Sequence, residues 1–351
     1  MPISLRTVVH RFPTPHPEAD GTLRWDSTTA VAVTVVNGDH QGFGWTYSHA
    51  AAAEVIDTVL RRALDEADVS EPVRCWRAMV DACRNIGATG LVMQAISAVD
   101  VALWDLHAQT LGVSLPRLWG RERPAIPVYG SGGFVNEDAD TLAANVGDWA
   151  RSGCAGMKIK IGEAWGSEIG RDLDRARLLT ELAPAGVDCM VDANGAYTRG
   201  QAVRVGRALD RLGITWFEEP VTSDDVDGLR GLRDRLDCDV TAGEYSWTVD
   251  DTERISAAVD CVQLDVTRCG GYTGWFRAAA VAKAHHLQVS AHCAPALHTP
   301  VAAATPNLRH IEYFVDHARL EPALADGVPR LADGVLVPNT GPGHGLTAVA
   351  Q

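Results

Sequence analysis

The chain has 351 residues, a formal net charge of −14 and 46% apolar residues. Such acidity argues against nucleic-acid and anionic-membrane partners, and no apolar run suggests a membrane span. Eight cysteines stand singly, without Cys-x-x-Cys spacing, as suits buried thiols in a reducing cytoplasm. The opening Met1-Pro-Ile-Ser-Leu-Arg6 lacks the apolar core and cleavage site of a signal peptide, so a cytoplasmic protein is expected.

The first segment, residues 1–124, reads as a separate α+β domain. Residues 3–10 form a strand candidate, and 28–36 alternate through Val31, Val33 and Val35. Asn37-Gly38 offers the left-handed residues of a tight hairpin turn before a strand at 42–46. Between the first two strands, 12–24 contains Pro13, Pro15 and Pro17, which disfavour helix and central strand, so a loop is expected. Helical patterns follow at 50–67, 71–84 and 90–111. In the last, Ile96, Val99, Leu103 and Leu106 share a face, Gly112 suits the C-cap, and Pro116 prevents continuation. Asp100 and Asp105 read as structural hydrogen bonders within it.

From Ile126 onward, short apolar strands end in charged residues. Residues 126–129 form the first. Gly156-Met-Lys-Ile-Lys-Ile-Gly162 places Lys158 and Lys160 two apart, so both ammonium groups enter one space. Asp192, Glu218 and Glu244 then close three successive strands, 26 residues apart each time. Asp265 ends the next strand, His292 the following one, and Glu312 lies in the last. Helical patterns at 169–183, 199–212, 226–236, 249–259 and 273–286 separate them. Roughly eight strand–helix units indicate a closed parallel β/α barrel, a fold that places chemistry at the C-terminal ends of its strands. The barrel is expected over 125–320 and a tail over 321–351, with its prolines favouring strands and turns. Gly130-Ser-Gly-Gly133 has the composition of a phosphate loop but lacks Gly-Lys-Ser/Thr, so nucleotide binding is rejected.

Residue types alone suggest a reaction. Three carboxylates without Cys or His suit a hard cation such as Mg²⁺. Three ligand carboxylates and one divalent cation leave a single negative charge, which Lys158 and Lys160 convert to a single positive one. A second cation nearby lowers a lysine pKa, so Lys158 and the metal are expected to make Lys160 a base. Asp265 would fix the tautomer of His292 and raise its basicity. The two bases would then approach a carbon from opposite sides. Glu219 is read as a supporting residue behind the ligands, and His298 as either a pocket residue or a structural histidine.

The ordered set Lys-x-Lys, Asp-x-Asn, Glu-Glu-Pro, Gly-Glu, Asp-x-x-x-x-Gly-Gly and a strand-seven His resembles the enolase superfamily, within it the mandelate racemase subgroup. Asp265 occupies the place where muconate-lactonizing relatives carry a catalytic Lys. The resemblance implies a modified (β/α) barrel of the TIM type with an N-terminal α+β capping domain, and a tail that returns to that domain. It also implies one Mg²⁺ per subunit on Asp192, Glu218 and Glu244, a small carboxylate substrate, and a homo-oligomer. Lys158, Lys160, Asp265, His292 and Glu312 become the catalytic set, with Asn194 supporting the metal site and Glu312 donating a hydrogen bond to the substrate carboxylate. Capping loops containing Tyr47 and His49 would choose the substrate. The implied reaction removes the proton α to a carboxylate and dehydrates an acid sugar to a 2-keto-3-deoxy acid, with racemisation or epimerisation as the alternative. A glycoside hydrolase using Glu218 and Glu244 would leave the lysine pair and the dyad unexplained. A barrel that only binds acid sugars would leave Lys160 and His292 without purpose.

Overall fold

The computed structural model describes residues 4–65 and 67–349. Ile3, the expected start of the first strand, and Glu66, inside the expected 50–67 helix, lie outside the described residues. Period-two alternation builds the first layer, an antiparallel sheet of β1 (Ser4–Ala19), β2 (Arg24–Asn37) and β3 (His40–Tyr47). Val31, Val33 and Val35 point to one face and are fully buried there.

Two local expectations need correction. Asn37 pairs with His40, so Gly38 and Asp39 form the hairpin loop, and Gly38 alone of that pair has positive φ. Glycine at the first central position is the type II′ solution, and the next strand therefore starts earlier than expected. The proline-rich 12–24 stretch is not a loop throughout, because β1 continues to Ala19. Its pairing shifts between Pro13 and Glu18, on the edge strand of the sheet, where missing N–H groups break no ladder.

The next helix is composite, Ala51–Val55, a π turn Ile56–Leu60, then Arg61–Leu64, followed by Pro72–Ala82. Leu91–Leu111 is long and apolar enough to cross a membrane by length and composition alone, but here it is largely buried between the sheet and the barrel. Its two acidic residues are structural hydrogen bonders. Asp100 accepts from the Thr273 N–H at 2.9 Å and the Thr273 hydroxyl at 2.7 Å, and Asp105 from Phe43 N–H at 3.0 Å and His344 N–H at 2.9 Å.

Eight parallel strands then close on themselves: β4 (Ile126–Gly132), β5 (Gly156–Lys160), β6 (Asp188–Asp192), β7 (Trp216–Glu218), β8 (Asp239–Ala242), β9 (Cys261–Leu264), β10 (Gln288–Ala291) and β11 (Leu308–Phe314). They pair in chain order, and β11 pairs with β4 to complete the barrel. Several of the helices between them bury one apolar stripe, whereas Pro295–Ala303 is buried all round, and Thr198 and Thr248 cap two of the helix starts. Trp216, Phe217 and Trp275 are fully buried, each contributing about 1.5–3 kcal/mol by removal from water.

The segment after Glu312 also differs from expectation. Val315–Leu324 is helical although it holds Pro322, which removes one backbone bond near its end. Beyond it, β12 (Ala325–Asp326) pairs with β14 (Thr347–Ala348), and β13 (Val335–Leu336) pairs with β4. Gly343 exchanges backbone bonds with Val113 and Leu115 beside the first domain. The capping sheet reaches the barrel mouth through its proline stretch and the turn after it. Val135 N–H donates to Ala19, and Trp165 N–H to Gly21. A β-carbon at Gly21 would lie 2.7 Å from the carbonyl oxygens of Ile161 and Gly162, so only glycine allows that approach.

Candidate active site

Strand register aligns the charged ends. Lys160 on β5 lies beside Asp192 on β6, which lies beside Glu218 on β7. Period two sends Lys158 inward one layer below Lys160. Its ammonium is fully buried, 2.7 Å from Glu218 Oε2, 2.9 Å from Glu312 Oε1 and 3.2 Å from the Tyr129 hydroxyl. Burial opposes that charge, but Glu218 and Glu312 outweigh it and hold the Lys158 pKa well above its ordinary value.

Lys160 Nζ lies 2.5 Å from Asp192 Oδ2 and 5.9 Å from the centre of the Phe314 ring. Considering only the protein's own groups, its pKa is raised. Burial and Lys158 both lower it, but Asp192, with help from Glu312 and Glu244, overrides them. With the protein's own charges alone, Lys160 is therefore an ammonium. Freeing the amine requires the charge of Asp192 to be engaged elsewhere.

Oxygens of Asp192, Glu218 and Glu244 lie within 4.8 Å of one another, and all three residues are buried. Burial, with Lys158 opposing and Asp192, Glu312 and Glu244 reinforcing, pushes Glu218 up to about 7. At Glu244 burial is overcome by His292 and Arg268, which bring it down to about 2. Glu244 Oε2 is buried and makes no hydrogen bond, as do Asn194 Oδ1 and Glu219 Oε1 nearby. An all-oxygen, buried and partly unsatisfied donor set fits a hard divalent cation. Asn194 donates its backbone N–H to Asp192 Oδ1 at 2.8 Å. Burial, Glu244 and Asp192 raise the Glu219 carboxyl well above the usual range.

Across the barrel, His292 Nδ1 lies 2.8 Å from Asp265 Oδ2, while Asp265 Oδ1 accepts from the Thr267 N–H and hydroxyl, both at 2.7 Å. Burial lowers the His292 pKa, but Glu244 and the Asp265 bond raise it overall. Its Nε2 lies 3.3 Å from Glu244 Oε2 and 3.9 Å from Glu312 Oε2. Ser131 donates to Glu312 Oε1 at 2.6 Å, and Cys293 N–H to Glu312 Oε2 at 2.9 Å. Burial opposes ionisation of Glu312, but Lys158 and His292 hold it well below the usual range. The protein thus makes Glu312 an acceptor from Lys158, Ser131 and the Cys293 N–H.

The remaining candidates do not converge on this cluster. His298 is fully buried in the helix Pro295–Ala303. Its Nε2 accepts from Val266 N–H at 2.8 Å, and Nδ1 faces the Cys293 and Ala294 carbonyls at 2.9 and 3.1 Å. Both nitrogens bind backbone, so it is the structural histidine and not a pocket residue. His49 is exposed and accepts from Ala51 N–H at 3.1 Å. Tyr47 stacks on His317, ring centres 3.6 Å apart, with its buried hydroxyl unpartnered.

Arg268 was missed. It lies 2.9 Å from Glu244 Oε1 and 3.4 Å from Asp265 Oδ2, tying the carboxylate cluster to the dyad. Its one sequence signal is its place three residues after Asp265, inside the Asp-x-x-x-x-Gly-Gly spacer.

Comparisons with known proteins agree with this geometry. The mandelate racemase / muconate lactonizing enzyme N-terminal domain profile matches residues 3–120, and the enolase C-terminal domain-like profile matches 141–351. A mandelate racemase/muconate lactonizing enzyme-like protein from Rubrobacter xylanophilus superposes with a TM-score of 0.94 at 41% identity, covering 98% of this chain and 96% of that one. An L-talarate dehydratase from Polaromonas sp. JS666, solved with Mg and L-glucarate, gives 0.90 at 29% identity, covering 100% and 95%. The 3,6-anhydro-alpha-L-galactonate cycloisomerase of Streptomyces coelicolor is 29% identical over 352 residues, 97% of this chain and 95% of its own. With both profiles matched and the barrel-end residues in place, the chain belongs to the mandelate racemase / muconate lactonizing enzyme family of the enolase superfamily, whose relatives are lyases and isomerases.

Proposed function

We propose that this enzyme removes the proton α to the carboxylate of an acid sugar and expels the β-hydroxyl, giving a 2-keto-3-deoxy acid. The observation that carries the reading is a buried oxygen cluster flanked by Lys160 on one side and the Asp265–His292 pair on the other. Asp192, Glu218 and Glu244 would hold Mg²⁺, which when bound supplies positive charge toward a substrate carboxylate. Lys160 Nζ and His292 Nε2 are the two groups able to take or return a proton at carbon. Asp265 directs His292 Nε2 toward the substrate by holding Nδ1, and it balances the imidazolium, so His292 can deliver a proton to a departing hydroxyl. Lys158 and Arg268 keep the surrounding carboxylates in place. The carboxylates outnumber the fixed cations around the site, so a divalent ion is what makes it receptive to an anion.

Epimerisation would use the same residues and return the proton to carbon. The polar residues of the capping segments favour a polyol, and the dehydratase relative bound to L-glucarate supports elimination. The test is to screen mono- and diacid sugars with Mg²⁺ in deuterated water by NMR. A new keto carbon with loss of the β-oxygen is expected. Inversion at the α-carbon with every hydroxyl retained would replace dehydration by epimerisation. Full turnover after exhaustive chelation would overturn the metal dependence.

A further inference from the structure

A second donor cluster borders the carboxylates. Cys293 Sγ lies 3.3 Å from His292 Nε2 and 3.5 Å from Glu312 Oε2, and those two atoms are 3.9 Å apart. Glu244 Oε2, buried and without a hydrogen bond, lies 3.3 Å from the same His292 nitrogen. Bonds of about 2.0–2.3 Å to a tetrahedral zinc ion place its donors about 3.3–3.6 Å apart. Of the three separations among Cys293, His292 and Glu312, two fall in or at the edge of that span, and the third needs a small adjustment.

The surroundings suit such an ion. His292 has its Nδ1 committed to Asp265, the carboxylate–histidine arrangement that orients an imidazole nitrogen toward a metal. Cys293 stands at φ 53, a left-handed conformation rarely adopted by a side-chain-bearing residue. One thiol, one imidazole and carboxylate oxygen select a borderline-soft ion over Mg²⁺, which prefers oxygen alone.

We propose that His292, Cys293 and Glu312 form a three-donor site for Zn²⁺ or a similar thiophilic divalent ion, beside the three-carboxylate cluster, to which Glu244 belongs. As the sulfur–metal bond forms, the Cys293 thiol loses its proton to solvent, and no electron is transferred. Occupancy takes the His292 Nε2 lone pair. Zinc then inhibits the enzyme, and excess Mg²⁺ does not relieve the inhibition. The binding stands apart from the proposed reaction, whereas the inhibition rests on it.

Co²⁺ titrated into the Mg²⁺-loaded protein reads the binding without any substrate. A thiolate-to-cobalt charge-transfer band saturating at one equivalent, bleached by Zn²⁺ and absent in Cys293→Ala and Cys293→Ser, is expected. With a responsive acid sugar at saturating Mg²⁺, Cys293→Ala should raise the zinc concentration for half-inhibition by at least about tenfold, since even supporting residues of metal sites shift affinity about 10–100-fold. Absence of the band in the wild type overturns the site and needs no variant. So does a band that persists in both variants. Inhibition that excess Mg²⁺ reverses equally in wild type and variant would show zinc merely displacing Mg²⁺, and would also overturn it. A cobalt band in a protein that turns over no acid sugar would leave the site standing and count against the proposed reaction.

Discussion

The barrel mouth and the sheet that covers it face each other but are built differently. In the barrel, the polar groups are fixed by strand register and buried among opposite charges, as Lys158 is between Glu218 and Glu312. The sheet of the cap touches the barrel through strand ends and turns. Glu18 accepts from the Trp25 indole at 2.8 Å, the Trp25 ring meets Phe134 edge-on, and Thr28 donates to Asp316 at 2.5 Å. A shift of strand register would scatter the whole barrel cluster, whereas turn residues can change one at a time. On the proposed reading, chemistry in the barrel and selectivity in the cap would then be separable.

The sharpest way to break the comparison is to remove one base from the barrel. Lys160→Ala and His292→Asn should each lower turnover about 10²–10⁴-fold without altering the cap. In deuterated water, each variant should lose α-proton exchange with one epimer and keep it with the other. Loss of the same epimer by both would defeat the assignment of opposite faces.

The next effect is on stability. Lys158→Met leaves Glu218 and Glu312 buried without their shared cation, and should cost about 3–5 kcal/mol in urea unfolding. A loss below 1 kcal/mol, on the order of a surface pair, would show that the barrel charges are solvated after all.

The smallest effect lies in the cap. Burial, then Asp316, raises Glu18 to about 7, against the opposing hydrogen bond from Trp25. Because its folded pKa exceeds the ordinary 4.5, its stabilising contribution is fully present below about pH 4.5 and lost as pH rises through about 7. Glu18→Gln should therefore stabilise the protein at pH 8 relative to pH 5 by about 1 kcal/mol after screening. Parallel pH–stability curves for variant and wild type would locate the cap's pH response elsewhere.

The sequence by itself determined the barrel and the order of its functional ends. Inward-facing side chains follow from period two, and strand–helix repetition covers the parallel sheet with helices, while about eight such units point to closure. Lys158, Lys160, Asp192, Glu218, Glu244, Asp265, His292 and Glu312 were legible for that reason. Tertiary structure alone decided what depends on contacts between distant segments. Whether β1 runs on through three prolines depends on its lying at a sheet edge. Whether His298 faces the pocket or the backbone depends on how the helix after β10 packs. Arg268 bridges two strand ends, and the Lys160 pKa is a sum over charges on four strands and their ends. Cys293 meets His292 and Glu312 only because the chain turns left-handed after β10. Most of these join segments distant in the chain, so no periodicity records them.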